Sequence, residues 1–156
     1  GYTHRRIFVQ HASHLIAEGK DDKAAKVLAH LDKHIPDYNV PISYMSGSFD
    51  EARAYAAIGQ KKKAMDLYNR LWIKSEQYLK WYCSHDGMRF LSSQRECMIN
   101  IYVLQQTLLD TDTLDKKWSE SHTPRFNSLV RFYQDKGGKL SSTNEEEEYY
   151  DEEVEE

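Results

Sequence analysis

Proline, glycine and cysteine are scarce in this chain, with three, seven and two of them among 156 residues. So few helix breakers and turn formers leave room for long helices and few tight turns. No stretch approaches the ~20 consecutive apolar residues of a membrane-spanning helix. Cys83 and Cys97 show neither CxxC spacing nor a histidine at ligand distance, which argues against a zinc site or redox pair. Two buried thiols are expected, with a single disulfide as the alternative for an exported chain.

Alternating β-branched residues are also missing, and their absence argues against a sheet. Aromatic residues are plentiful by contrast, with 11 Tyr, 5 Phe and 3 Trp. They are enough to supply a core, which excludes a wholly disordered chain. The expected fold class is therefore all-α.

Charge is unevenly distributed along the chain. The formal net charge is −4, yet residues 145–156 hold nine acidic groups and no basic one. The rest of the chain keeps 16 acidic against 21 basic residues, an excess of five positive charges. A run of like charges repels itself and buries little apolar surface. We expect residues 139–156 to form a disordered acidic tail that serves solubility or docks on a basic surface, including the body of the protein itself.

The sequence repeats itself around two glycines, Gly19 and Gly59, which are forty residues apart. Such glycines favour the left-handed conformation that ends one helix and reverses the chain. Small side chains let two antiparallel helices pack closely where they cross. The small residues at matching distances before and after each glycine are Ala12, Ala24, Ala52 and Ala64.

This pattern of small and large residues resembles the tetratricopeptide repeat (TPR), a helix pair of about 34 residues. The resemblance implies antiparallel helix pairs stacked as a short right-handed array, closed by a degenerate C-terminal helical cap. The excess over the usual period falls in residues 36–41, where two prolines predict an extended connection. The expected units are linker or tag-derived residues 1–4 and a helical domain 5–138, made of repeat one 5–36, repeat two 42–83 and a degenerate third unit 86–136.

Apolar periodicity and capping residues predict the individual helices. Asp112 is a candidate N-cap for a short helix through Trp118, and Thr123 followed by Pro124 is a stronger start signal for the last helix. The predicted helices span residues 5–18, 22–34, 42–58, 61–83 and 88–109, with the last one ending at the two glycines 137–138.

Catalytic signatures are not recognisable in the sequence. His11 and His14, and His30 and His34, have spacings that place two side chains on one helix face, but no HExxH motif or further ligand accompanies them. No GxSxG elbow or glycine-rich phosphate loop occurs. We expect no catalytic, cofactor-binding or metal-binding residue and no nucleic-acid partner, because the basic residues are spread over nearly every helix.

The TPR resemblance implies a concave groove lined by the first helix of each pair. Arginines beside an aromatic ring and small residues suit an extended or helical peptide with carboxylates. The alternative is that the fifth helix or the acidic tail fills this groove. The expected lining residues are Arg6, Val9, Ser13 and Ile16 of the first unit and Ser46, Phe49, Arg53 and Ala56 of the second.

A second resemblance concerns residues 5–6, 17–24, 36–41 and 78–82. These stretches are similar to the C-terminal soluble region of large polytopic membrane proteins from Bacteroidetes-type bacteria, whose N-terminal part resembles protein O-mannosyltransferases or other lipid-linked-sugar glycosyltransferases. The resemblance implies association with the bacterial inner membrane, with the periplasmic face favoured, and catalytic residues outside this sequence.

Three functions follow as hypotheses from these observations. The first is a non-catalytic interaction or scaffolding module that binds a protein, a peptide or the membrane part of its own chain. The second is a structural cap of that membrane protein, or a homodimerisation domain. An independent enzyme ranks third.

Overall fold

The computed structural model describes residues 2–35 and 47–140, and every regular element in these two ranges is a helix. The predicted all-α class is therefore confirmed. The seven helices are α1 Tyr2–Ala17, α2 Asp21–His34, α3 Ser48–Ala57, α4 Lys61–Cys83, α5 Gly87–Leu91, α6 Gln94–Leu114 and α7 Lys116–Asp135. Helix α1 begins three residues before the expected Arg5.

The helices pack as consecutive pairs around two apolar clusters. Helix α1 packs on α2 and α3 on α4, while α6 packs between α4 and α7. The first cluster includes Leu28, Tyr55 and Leu67, and the second includes Trp72, Leu104 and Tyr133. Helix α4 joins them, because its first half faces one cluster and its second half faces the other.

The forty-residue repeat has the same local geometry in both copies. Gly19 and Gly59 adopt φ angles of 76° and 80°. The amide of Lys20 donates to the carbonyl of Leu15 at 2.8 Å, and the equivalent bond from Gln60 to Tyr55 measures 2.9 Å. These bonds form a Schellman motif at the end of each first helix. The small residues of both copies, Ala12, Ala24, Ala52 and Ala64, are completely buried.

A buried ion pair joins α1 to α3. Arg5 and Glu51 are each 1% exposed, and Nη1 of Arg5 lies 3.4 Å from Oε2 of Glu51. Arg5 also donates from Nη2 to the carbonyl of Ile35 at 3.1 Å. Because a buried charge is costly without partners, this network specifies how α1 sits on the end of α2 and the start of α3.

The predicted fifth helix, residues 88–109, is interrupted in the structure. A short helix α5 ends at Leu91, and α6 begins at Gln94. The hydroxyl of Ser93 donates to the carbonyl of Phe90 at 2.7 Å, and the hydroxyl of Ser92 donates to Arg89 at 3.1 Å. Serine side chains that bond to nearby carbonyls compete with helix continuation, and this competition explains the break.

The predicted helix start at Thr123 and Pro124 is wrong, and so is the predicted N-cap at Asp112. Helix α6 runs past Asp112, and Asp115 caps α7 by accepting from the amide of Trp118 at 3.2 Å. Pro124 then lies inside α7. Just before this proline, the hydroxyl of Thr123 donates to the carbonyl of Ser119 at 2.8 Å, so a side chain supports the turn that the ring disturbs.

Two sequence predictions lie outside the described residues. One is the extended connection in residues 36–41, together with the first part of the helix expected from residue 42. The other is the acidic tail predicted for residues 139–156, of which only residues 139 and 140 are described.

Candidate functional site

A cleft of about 450 Å³ lies between α1 and the N-terminal end of α3. Its α1 residues are spaced by three or four positions, so they share one helix face. The lining residues are Arg6, Val9, Gln10, Ser13, His14 and Ala17 of α1, with Gly47 and Asp50 at the start of α3. Three of the residues predicted for the groove, Arg6, Val9 and Ser13, are therefore brought together.

The cleft has an apolar floor and a polar rim. Val9 is 2% exposed and lies at the floor, whereas Arg6, Ser13 and Asp50 are exposed. Within the described residues, Arg6 has no ion pair. The hydroxyl of Ser13 donates to the carbonyl of Val9 at 2.9 Å, which leaves its oxygen free to accept a hydrogen bond. The rim can thus offer a cation, an anion and hydroxyl and amide groups to a ligand.

Gly47 allows α1 and α3 to approach each other closely at this cleft. Its φ is +83°, in the left-handed region that favours glycine. A Cβ at this position would lie 3.0 Å from Cγ of Arg6. The backbone of α3 can therefore lie against the side chain of Arg6 only because no side chain intervenes.

Phe49 and Arg53 lie outside the cleft, and Arg53 forms an ion pair with α6. Phe49 is 3% exposed, and the Arg53 guanidinium stacks 4.4 Å from its ring centroid. Nε and Nη2 of Arg53 donate to the two carboxylate oxygens of Asp110 at 2.7 and 3.2 Å. Two parallel bonds of this kind give a specific geometry. Arg53 is thus engaged by α6 and Phe49 is buried, so neither side chain is offered to a ligand as the predicted groove required.

Asp110 is the centre of this contact, because it also accepts from the hydroxyl of Tyr68 at 2.7 Å. The hydrogen bond to Asp110 raises the pKa of Arg53. Burial first and the bond to Asp110 second raise the pKa of Tyr68. Both groups therefore keep their protons at neutral pH, and the network joins α3, α4 and α6.

The remaining predicted groove residues are placed differently. Ile16 and Ala56 are half-buried and pack against the first apolar cluster, so they contribute to the core. Ser46 lies outside the described residues.

A second cleft of about 590 Å³ between α2, α3 and α4 was not expected from the sequence. It contains three acidic and three basic side chains, of which Asp66 and Arg70 are 3.5 Å apart and Lys63 and Asp32 are 3.8 Å apart. Asp32 also accepts from the hydroxyl of Tyr55. Burial first and this bond second raise the pKa of Tyr55. The cleft is thus lined by equal numbers of acidic and basic side chains, several of which pair with one another.

Neither metal binding nor membrane spanning is indicated by the described residues. Within ranges 2–35 and 47–140, no three or more His, Cys, Asp or Glu side chains are arranged to hold a metal ion. None of the helices described there is both long and apolar enough to cross a bilayer. Comparisons with family models, with curated proteins and with solved structures found no match.

Proposed function

We propose that this chain is a non-catalytic interaction module that binds a peptide segment of a partner in the cleft between α1 and α3. The proposal rests on one observation, the combination of an apolar floor at Val9 with an exposed Arg6 that has no ion pair among the described residues. The concave surface gives a ligand side chain a place to lie, and the exposed arginine selects for a carboxylate. The partner is a protein, or the membrane part of a longer chain.

A peptide library tests this function directly. The probes are immobilised peptides of about 12 residues, a length suited to one groove, with systematically varied acidic, basic and apolar positions. We expect peptides with a carboxylate next to an apolar residue to bind best. Nuclear magnetic resonance spectra of the labelled protein with the best peptide should show shifts at Arg6, Val9 and Ser13.

Single variants separate the cleft from general charge effects. Arg6→Ala should weaken the best peptide at least about tenfold, because it removes the charge-assisted bonds to the carboxylate. Arg95→Ala, at an exposed arginine of α6 outside the cleft, should leave affinity within about twofold, since only long-range attraction changes. Equal losses in both variants, or shifts that avoid α1, would show that the cleft is not the binding site.

A structural or dimerisation cap is the second candidate function. The observation that favours it is the contact of Arg53 with Asp110, which engages within the fold an arginine that the predicted groove would have offered to a partner. Sedimentation of the purified chain distinguishes the two candidates. A concentration-dependent dimer without peptide binding favours the cap, whereas a monomer that binds peptides favours the interaction module.

We further propose, from sequence resemblance alone, that the module belongs to a larger glycosyltransferase-like membrane protein at the bacterial inner membrane, on its periplasmic side. The full-length gene tests this. Several long apolar segments encoded upstream of Gly1 would support the proposal, and a short gene without them would contradict it.

A further inference from the structure

Two cysteines that are distant from the cleft share one buried environment. Cys83 is the last residue of α4, and Cys97 lies in the first turn of α6. They are 1% and 0% exposed, and both are free thiols. Both pack in the second apolar cluster, beside Leu79 and Ile101.

The packing of α4 on α6 makes the two thiols neighbours. Their side chains are close enough for each thiol to influence the pKa of the other. Burial raises the pKa of Cys83 to about 12 and also raises the pKa of Cys97. Both thiols are therefore protonated at neutral pH, and neither is suited to act as an exposed nucleophile.

Helix α5 and its contacts restrict access to this thiol pair. Phe90 packs into the same cluster, with its ring centroid 5.9 Å from that of Tyr133. Nζ of Lys136, which follows α7, lies 2.7 Å from Oδ1 of Asp86, the residue just before α5. Because both sulfurs are buried in this cluster, a reagent in solution can reach them only when the surrounding packing opens.

We propose that Cys83 and Cys97 form an intramolecular disulfide when the protein meets a small disulfide oxidant such as oxidised glutathione. One cysteine, once deprotonated, attacks a sulfur of the oxidant, and its S–S bond breaks to release one glutathione thiolate. The second cysteine then loses its proton and attacks the protein sulfur of the mixed disulfide, which releases the second glutathione. The protein gives up two electrons and two protons, and the oxidant is reduced to two thiols.

The cross-link would join the end of α4 to the start of α6 and enclose α5. The cross-link reduces the number of conformations that the unfolded chain can adopt, and this loss of entropy favours the folded state. The inference is independent of the proposed peptide binding, because it concerns a different part of the molecule.

Equilibrium with glutathione tests this inference. The purified chain is brought to equilibrium with defined ratios of oxidised and reduced glutathione, once in native buffer and once in concentrated urea. Equilibrium is approached from reduced protein and from protein oxidised in urea and refolded. Acid quenching, thiol counting and mass spectrometry then give the amount of intramolecular disulfide.

We expect the equilibrium constant for the disulfide to be at least about tenfold larger in native buffer than in urea, because the fold brings the thiols together. By the same linkage, oxidised protein should melt several degrees above reduced protein. An equal or smaller constant in native buffer would overturn the proposal, as would failure of the oxidised chain to refold.

Single-cysteine variants provide the control. Cys83→Ala and Cys97→Ala each leave one thiol, so oxidised glutathione can form only a mixed disulfide with them. Oxidation should therefore not raise the melting temperature of either variant. The wild-type comparison between native buffer and urea decides the proposal even if these variants fold poorly. A wild-type product that is mainly the mixed glutathione adduct in native buffer would count against it.

Discussion

Four buried alanines allow the paired helices of this molecule to pack closely. Ala12 and Ala24, and their counterparts Ala52 and Ala64, are completely buried within the pairs α1–α2 and α3–α4. At such sites the close approach of two helices leaves no volume for a longer side chain. The prediction that these residues are buried is confirmed.

Ala24→Leu should therefore destabilise the protein by about 1–3 kcal/mol, because the added methylene groups overpack the contact between α1 and α2. Ala29→Leu is the matched control, since Ala29 lies on the same helix but is exposed. It should change stability by less than about 0.5 kcal/mol. Urea unfolding of both variants measures the difference, and equal stabilities would contradict the helix register.

Helix α4 shows how tertiary packing outweighs an unfavourable local sequence. It begins with three lysines, although positive charge at a helix N-terminus costs about 0.3–1 kcal/mol per group. Leu67, Leu71 and Leu79 of the same helix are buried, and each contributes about 1.5–3 kcal/mol. The predicted bounds of residues 61–83 are confirmed because the buried side chains outweigh the charges.

Helix α7 continues through Pro124 for a similar reason. A proline in a helix interior costs about 3 kcal/mol. Leu129 and Tyr133 of the same helix are buried in the second cluster, and the hydroxyl of Tyr133 donates to the carbonyl of Lys139 at 2.8 Å. The sequence signal for a helix start at Pro124 was misleading, because it could not include packing against α4 and α6.

Glu76 of α4 and Arg125 of α7 connect these two helices. Oε2 of Glu76 accepts from the Arg125 guanidinium and from Nε1 of Trp72, the latter at 3.2 Å. Burial by itself raises the pKa of Glu76, but hydrogen bonds from Arg125 and Lys80 outweigh it and lower the pKa below its ordinary value. A lowered pKa in the folded state stabilises the protein above the unfolded-state pKa, and that contribution disappears as the pH falls through the folded-state pKa.

Arg125→Ala should accordingly destabilise the protein by about 1 kcal/mol at pH 7, a modest effect because half of the arginine side chain is exposed to solvent. The difference from wild type should shrink as the pH falls from the ordinary glutamate pKa of about 4.3 through the lower folded-state pKa of Glu76, because the carboxylate is then protonated. Urea unfolding between pH 3 and pH 7 measures it.

Arg131→Ala serves as the control for this pH series, since Arg131 is an exposed arginine on the same helix. Its stability should differ from wild type by less than about 0.5 kcal/mol throughout. If the Arg125 variant loses the same stability at pH 3 as at pH 7, the ion pair with Glu76 is not the cause.

At the scale of the whole molecule, the acidic and basic charges are separated along the chain. The nine acidic groups of residues 145–156 change an excess of five positive charges into a net charge of −4. Such a run keeps a protein soluble and repels other acidic surfaces. Whether it also docks on the basic part of the chain is open to a direct test.

Removing residues 145–156 should leave the melting temperature unchanged and should make the protein bind a cation-exchange resin at pH 7, because its net charge becomes positive. Calorimetry and ion-exchange chromatography of both chains check this. The control is a full-length variant in which the nine acidic residues are replaced by Gln or Asn, which removes the charge but keeps the chain length. A clear fall in melting temperature on truncation would show that the tail stabilises the helical body.

The candidate site was only partly predictable. Arg6, Val9 and Ser13 share a helix face at regular spacing, so the pattern of α1 alone was enough to group them. Arg53 and Asp110 are 57 residues apart in the chain, and no periodic pattern links α3 to α6. Their ion pair therefore became visible only in the folded molecule.

By itself, the sequence determined the all-α class, the glycine turns that end α1 and α3, the small residues at the helix crossings and the limits of α4. Each of these depends on interactions between residues within one or two helical turns of each other, and the spacing of residues in the sequence is enough to predict such interactions. The tertiary structure alone decided that Arg53 of α3 pairs with Asp110 of α6, that α7 passes through Pro124 and that Cys83 and Cys97 share one buried cluster. These outcomes depend on which distant helices pack together, because the free energy of burying their shared faces exceeds the local preferences.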